Sequence, residues 1–168
     1  MIRHRAFLRW WLFILLVFLF NIFCLANGIF YSIWDNDITK LSFVILFLFC
    51  IQSIICGQQT WAIGFHQNNL LKIDKIKENS EVGWFMSDMF LSIGMIGTVI
   101  GFISMLGGFS SLDVNNAETV QGLIKELGSG MSTALYTTLV GLVCSVFLKI
   151  QYFNLAQGIE SVENKKDI

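Results

Sequence analysis

Hydroxyl groups set among glycines recur in two stretches of this 168-residue chain that are otherwise apolar enough to lie in lipid. The first, Met95-Ile96-Gly97-Thr98-Val99-Ile100-Gly101-Phe102, carries Thr98. The second, Ser132-Thr133-Ala134-Leu135-Tyr136-Thr137-Thr138-Leu139-Val140-Gly141-Leu142, carries Thr133, Thr137 and Thr138. Small residues and hydroxyls inside hydrocarbon mark a face turned toward another helix or a wet cavity, because a helix that only anchors needs neither. A pore reading requires these hydroxyls to contact water or a partner's ionisable group. Neither stretch holds an acid, histidine or lysine near its middle, so proton conduction by side chains needs a titratable group from a partner. Asp88 is the nearest acid, about one turn inside the end of the first stretch's helix. Its two readings are an interfacial carboxylate reaching water and a proton exit station.

Helices are the elements that position these groups, because residues three and four apart share a helical face. Gly94, Gly97, Thr98, Gly101, Ser104 and Gly108 keep that spacing in one segment, and Gly130, Ala134, Thr137, Thr138, Gly141 and Ser145 keep it in the next. Two consecutive spans run antiparallel, so residue numbers at equal depth share one sum. Gly94 with Gly141, Thr98 with Thr137 and Gly101 with Ala134 satisfy that condition. The bland alternative is a packing stripe whose threonines bond back to their own helix carbonyls.

Composition places these helices in a membrane. Hydrophobic residues make up 55% of the chain, charged residues 14%, and the mean hydropathy is +0.66. Four apolar segments emerge, at about 10–34, 38–65, 84–107 and 131–153. Each reaches the roughly 20 residues needed to cross about 30 Å of hydrocarbon. The expectation is a single all-α membrane domain over residues 1–168, polytopic, with four transmembrane helices and short outer loops near 35–40 and 108–130. Nine of the eleven basic residues fall before the first span, between the second and third, or at and after the end of the fourth; only Lys40 and Lys125 fall on the other side. Both termini are therefore expected on the cytoplasmic side. All five tryptophans, Trp10, Trp11, Trp34, Trp61 and Trp84, fall near predicted boundaries. Residues 1–82 hold ten of sixteen phenylalanines and three of fourteen glycines, which predicts a bulky outer helix pair around a glycine-rich inner pair.

Several function classes fit poorly. A net charge of −1 calls for no nucleic-acid partner. Cys24, Cys50, Cys56 and Cys144 lie in spans without metal-type spacing, and no nucleophile with a base, metal-ligand cluster or phosphate loop occupies an aqueous segment, so no enzyme is expected. A small exporter would carry a mid-membrane acid. Asn21, Asn27 and Gln52 suit interhelical hydrogen bonds. The basic flank before the first span and Cys24-Leu25-Ala26 resemble a signal peptide, but the apolar run exceeds a typical signal core. The stretch from His66 to Glu81, with Leu70, Ile73 and Ile76 among charges, predicts an amphipathic helical link on the cytoplasmic side or an extension of the second span. No proline occurs, so any bend must come from glycine or a displaced hydrogen bond.

Gly97-Thr98-Val99-Ile100-Gly101 in one span, followed by Ala134-Leu135-Tyr136-Thr137-Thr138-Leu139-Val140-Gly141-Leu142 in the next, resembles the MotA/TolQ/ExbB proton-channel family over about residues 90–150. The four-span pattern is more similar to MotA than to the three-span TolQ and ExbB. The resemblance implies a bacterial inner-membrane ring, commonly of five copies, whose third and fourth helices line a pore around two single-span partners of the MotB/TolR/ExbD kind. It implies that the partner's membrane aspartate carries the proton, that threonines matching Thr98 and Thr138 face the ion path, and that ion flow turns the ring. No cofactor is implied; the coupling ion is the proton, with sodium the alternative. Three positions depart from the family pattern: Leu91 or a neighbour replaces a common proline, Thr133 stands where TolQ and ExbB place a glutamate, and only residues 66–83 stand in place of MotA's large cytoplasmic region. The competing class is a non-conducting scaffold whose glycine-rich helices serve only oligomerisation.

Overall fold

The computed structural model describes residues 5–37, 39–65, 70–107 and 117–163, in five helices and no strand. These are α1 (Arg5–Ala26), α2 (Ile29–Asn36), α3 (Leu41–Phe65), α4 (Leu70–Gly107) and α5 (Ala117–Glu163). Among the described residues, three helices are long and apolar enough to cross a membrane, with spans at Leu41–Ile63, Ile73–Gly107 and Val120–Val162. The chain is thus an all-α, multi-pass membrane protein. Large apolar side chains such as Phe47, Val99 and Ile103 face outward, as they do in hydrocarbon.

The first expected span is not one helix. It breaks between α1 and α2, where Gly28 takes the left-handed φ of 67°. Glycine adopts that conformation without steric cost, so Asn27-Gly28 interrupts an apolar run that hydropathy alone reads as continuous.

The link expected over residues 66–81 is helical where described, as expected, but it is not a separate element from the third span. Residues 66–69 lie outside the described residues, and from Leu70 onward the link is continuous with the third span as the 38-residue α4. With no proline or left-handed glycine between Leu70 and Gly107, nothing stops the helix. Ile73 and Ile76 are buried, joining Leu155, Ile159 and Val162 of α5 in the core cluster. Likewise the outer loop expected over 108–130 is helical from Ala117, continuing into the 47-residue α5; residues 108–116 lie outside the description. At about 1.5 Å per residue α4 is about 57 Å long and α5 about 70 Å, so both overhang a hydrocarbon layer of about 30 Å.

The turn between α2 and α3 is held by one buried acid. Asp37 is 1% exposed and accepts from the Thr39 amide at 3.1 Å and hydroxyl at 2.7 Å, and from the Ser42 amide at 3.0 Å. It thereby satisfies a donor in the first turn of α3 that the helix cannot. Lys40, at φ 52°, lays its ammonium 3.8 Å from the Trp34 ring centre. Replacing Asp37 with alanine should cost about 1–2 kcal/mol, read as a lower unfolding midpoint in mild detergent, while Asp37→Asn, which keeps one acceptor, should cost less. Equal losses for both variants would count against the cap.

Candidate helix-pair site

Among the described residues, helices α4 and α5 make the most extensive contact, and the reason is a seam of small residues. Gly94 lies against Gly141 and the Thr137–Thr138 backbone, Gly97 against the Thr137 side chain, and Gly101 against Ala134 and Gly130. A β-carbon built on Gly141 would stand 2.7 Å from the Phe90 carbonyl oxygen, and one on Gly101 would stand 2.7 Å from that of Gly130. Backbones approach this closely only where side chains are absent. The antiparallel register expected from sequence is present at Gly94 with Gly141 and at Gly101 with Ala134. At the third level the partner of Thr137 is Gly97; Thr98 stands one residue, about 100°, further round the helix and turns away from the seam.

Each of the four threonine hydroxyls singled out on α4 and α5 donates to a carbonyl. Thr133 donates to Ser129 at 3.0 Å, Thr137 to Thr133 at 2.9 Å and Ala134 at 3.2 Å, and Thr98 to Met95 at 2.5 Å. Thr138 differs, because its hydroxyl is shared between Ala134 of its own helix and Gly94 of α4, both at 3.1 Å. That bond crosses the seam. Thr133 and Thr137 are fully enclosed, whereas Thr98 and Thr138 are half-buried at the edge of the pair. Ser145 and Ala134 are buried with the seam; Ser104 is exposed, and Gly108 lies outside the described residues.

Asp88 has a partner that sequence reasoning did not assign. Its Oδ1 lies 2.8 Å from Lys149 Nζ, joining α4 to α5 below the seam. With side chains 66% and 41% exposed, the pair adds little to stability, in the range of about 0–1 kcal/mol. Further down, Gly83 lies where a β-carbon would enter the ring of the fully buried Tyr152, whose hydroxyl accepts from Gln52 Nε2 at 3.2 Å. Gln52 thus joins two helices, as its amide suggested. The Gly83 contact was missed, although Gly83, Ser87, Phe90, Gly94, Gly97 and Gly101 all keep the three-and-four spacing and are all buried.

Between Met89 and Gly107, and between Leu127 and Leu148, there is no Asp, Glu, His, Lys or Arg. Fold and seam together define a polytopic helical membrane protein whose two longest helices are held together by glycine and threonine within their uncharged stretches. The sequence profile of one family, the MotA/TolQ/ExbB proton channel family, matches residues 68–167, which include α4 from Leu70 and all of α5. The chain belongs to that family. No curated protein and no solved structure matches it significantly.

Proposed function

We propose that this chain is the ring-forming subunit of a proton-driven motor in the bacterial inner membrane, working around single-span partners that each bring a membrane carboxylate. The observation that carries this reading is the Thr138 hydroxyl, which holds α5 to α4 at the edge of a seam flanked by helix stretches without any charged residue. In this reading the ring is a pentamer around two partner helices of the MotB/TolR/ExbD kind, both termini are cytoplasmic, and α1 with α2 supplies the fourth crossing.

Hydrogen-bond direction supports a protonated visitor. The Thr98 and Thr138 hydroxyls already donate to carbonyls, so what they offer a visitor is an oxygen lone pair. That suits the O–H of a protonated carboxyl and offers no donor to a carboxylate. The partner acid crosses the apolar zone neutral, which avoids the cost of moving a charge through hydrocarbon. Nearer the cytoplasm Lys149 favours the ionised form of an arriving acid, and Asp88 receives or passes on the proton. Thr133 and Thr137, enclosed in the chain, set the helix spacing.

Proteoliposomes test the reading. Proton uptake should require both this chain and a single-span partner, and should vanish when the partner's membrane aspartate becomes asparagine. No uptake with any such partner would favour the scaffold, and conduction by this chain alone would overturn the need for a partner's carboxylate. Asp88→Asn should leave assembly intact and lower flux several-fold, since it removes the proton acceptor beside Lys149; unchanged flux would take Asp88 out of the path.

A further inference from the structure

A cavity of about 950 Å³ lies between α1, α3 and α5, away from the α4–α5 seam. Trp10, Trp11 and Trp61 line one end, Phe49 and Val143 line the middle, and the cavity is partly open to the outside of the bundle. The Trp10 ring covers Gly57, and Phe13 meets Phe147 edge-on at 5.7 Å between ring centres, so α1 is tied down beside the cavity.

Polarity and size narrow the occupant. Water needs two to four polar partners per molecule, and a space this size has room for about thirty. The lining is nearly all hydrocarbon, and the Asn21 amide in it already donates to the Val17 carbonyl at 3.1 Å. From Leu46 to Trp61 the cavity follows α3 for about 22 Å. An acyl chain laid lengthwise is slender enough. The three tryptophans mark the level of the lipid headgroups, where such rings are stable. Arg5 and Arg9 occupy the first two turns of α1, at that same end. Their positive charge complements a phosphate.

We infer that this cavity is a binding site for one anionic phospholipid of the cytoplasmic leaflet, its acyl chain between α1, α3 and α5 and its headgroup at the arginine-bearing start of α1. The site rests on the membrane orientation proposed above and is independent of the proton path. Its role is to complete the packing of α1, whose own contacts leave the space open.

Native mass spectrometry of the intact complex, extracted into nanodiscs of phosphatidylglycerol and phosphatidylcholine, should find one phosphatidylglycerol retained per chain. Filling the space with Ser53→Trp and Val143→Trp should abolish retention, and Arg5→Gln and Arg9→Gln should each lower the preference for phosphatidylglycerol about fivefold. Because a filled variant can fail to fold, the wild-type complex is also tested with phosphatidylglycerol bearing a photoreactive acyl chain. Adducts should concentrate on the α1 and α3 residues that line the cavity. Adducts spread equally over outward residues of α4 such as Val99 and Ile103, undiminished lipid in folded filled variants, or a photoreactive group at position 53 that captures a protein helix would each overturn the site. Loss of proton flux with lipid still bound would overturn only the motor.

Discussion

Gly141→Val should prevent α4 and α5 from closing, so that the intact complex is no longer recovered from membranes. The first added carbon would stand 2.7 Å from the Phe90 carbonyl oxygen and 3.1 Å from the Gly94 α-carbon. Both obstacles are helix backbone, which cannot swing aside as a side chain does. Relief requires moving the whole of α4, and that would open the Gly97–Thr137 and Gly101–Ala134 contacts on the same seam. Gly141→Ala, with the same first carbon and nothing beyond it, should cost roughly 1–3 kcal/mol, the usual range for overpacking. Gly122 and Gly128 are the internal controls, because a β-carbon at either meets nothing within 4 Å. Alanine there should stabilise the helix by about 0.4–1 kcal/mol. Thermal unfolding in detergent separates the two classes, and a Gly141→Ala variant as stable as Gly122→Ala would remove the seam as the organising contact.

How far the sequence foretold this arrangement depends on which force decided each part. The seam was legible because glycine and threonine at three-and-four spacing have few other uses in lipid, and antiparallel register then paired Gly94 with Gly141 and Gly101 with Ala134. The position of Thr98 was not, since sharing a stripe tolerates an offset of one residue, and that offset decides whether a side chain enters the seam or leaves it. The break at Gly28 was invisible to hydropathy, which sums transfer energies and takes no account of φ. Helix ends were misplaced at Leu70 and Ala117 for a related reason. Charge marks where lipid stops, but a helix stops only where its backbone is interrupted, and between Leu70 and Gly107 nothing interrupts it. Asp88 and Lys149 are the residues directly beyond the two uncharged stretches, two residues off the seam's register, an offset their side chains span.

Thr98→Val and Thr138→Val together should bring proton flux in reconstituted vesicles close to background, and the single variants should separate a channel from a scaffold. Valine keeps the shape of threonine and removes the oxygen. At Thr138 the change also removes a bond to Gly94 across the seam, so a loss of about 1 kcal/mol in stability is expected alongside the loss of flux. Thr138 alone would therefore be ambiguous. At Thr98 the hydroxyl donates only to Met95 on its own helix, and the side chain is half-buried outside the seam, so valine should leave stability nearly unchanged. If a protonated carboxyl hydrogen-bonds to this oxygen as it passes, losing the acceptor is worth roughly 1–3 kcal/mol, which is about a five- to hundredfold fall in rate. Thr137→Val and Thr133→Val complete the comparison. Both side chains are fully enclosed, so their effect should fall on assembly in proportion to any flux lost. A Thr98→Val complex that is stable, assembled and silent is the result expected if ions pass that side chain; one that is stable and conducts at the native rate would take Thr98 out of the ion path.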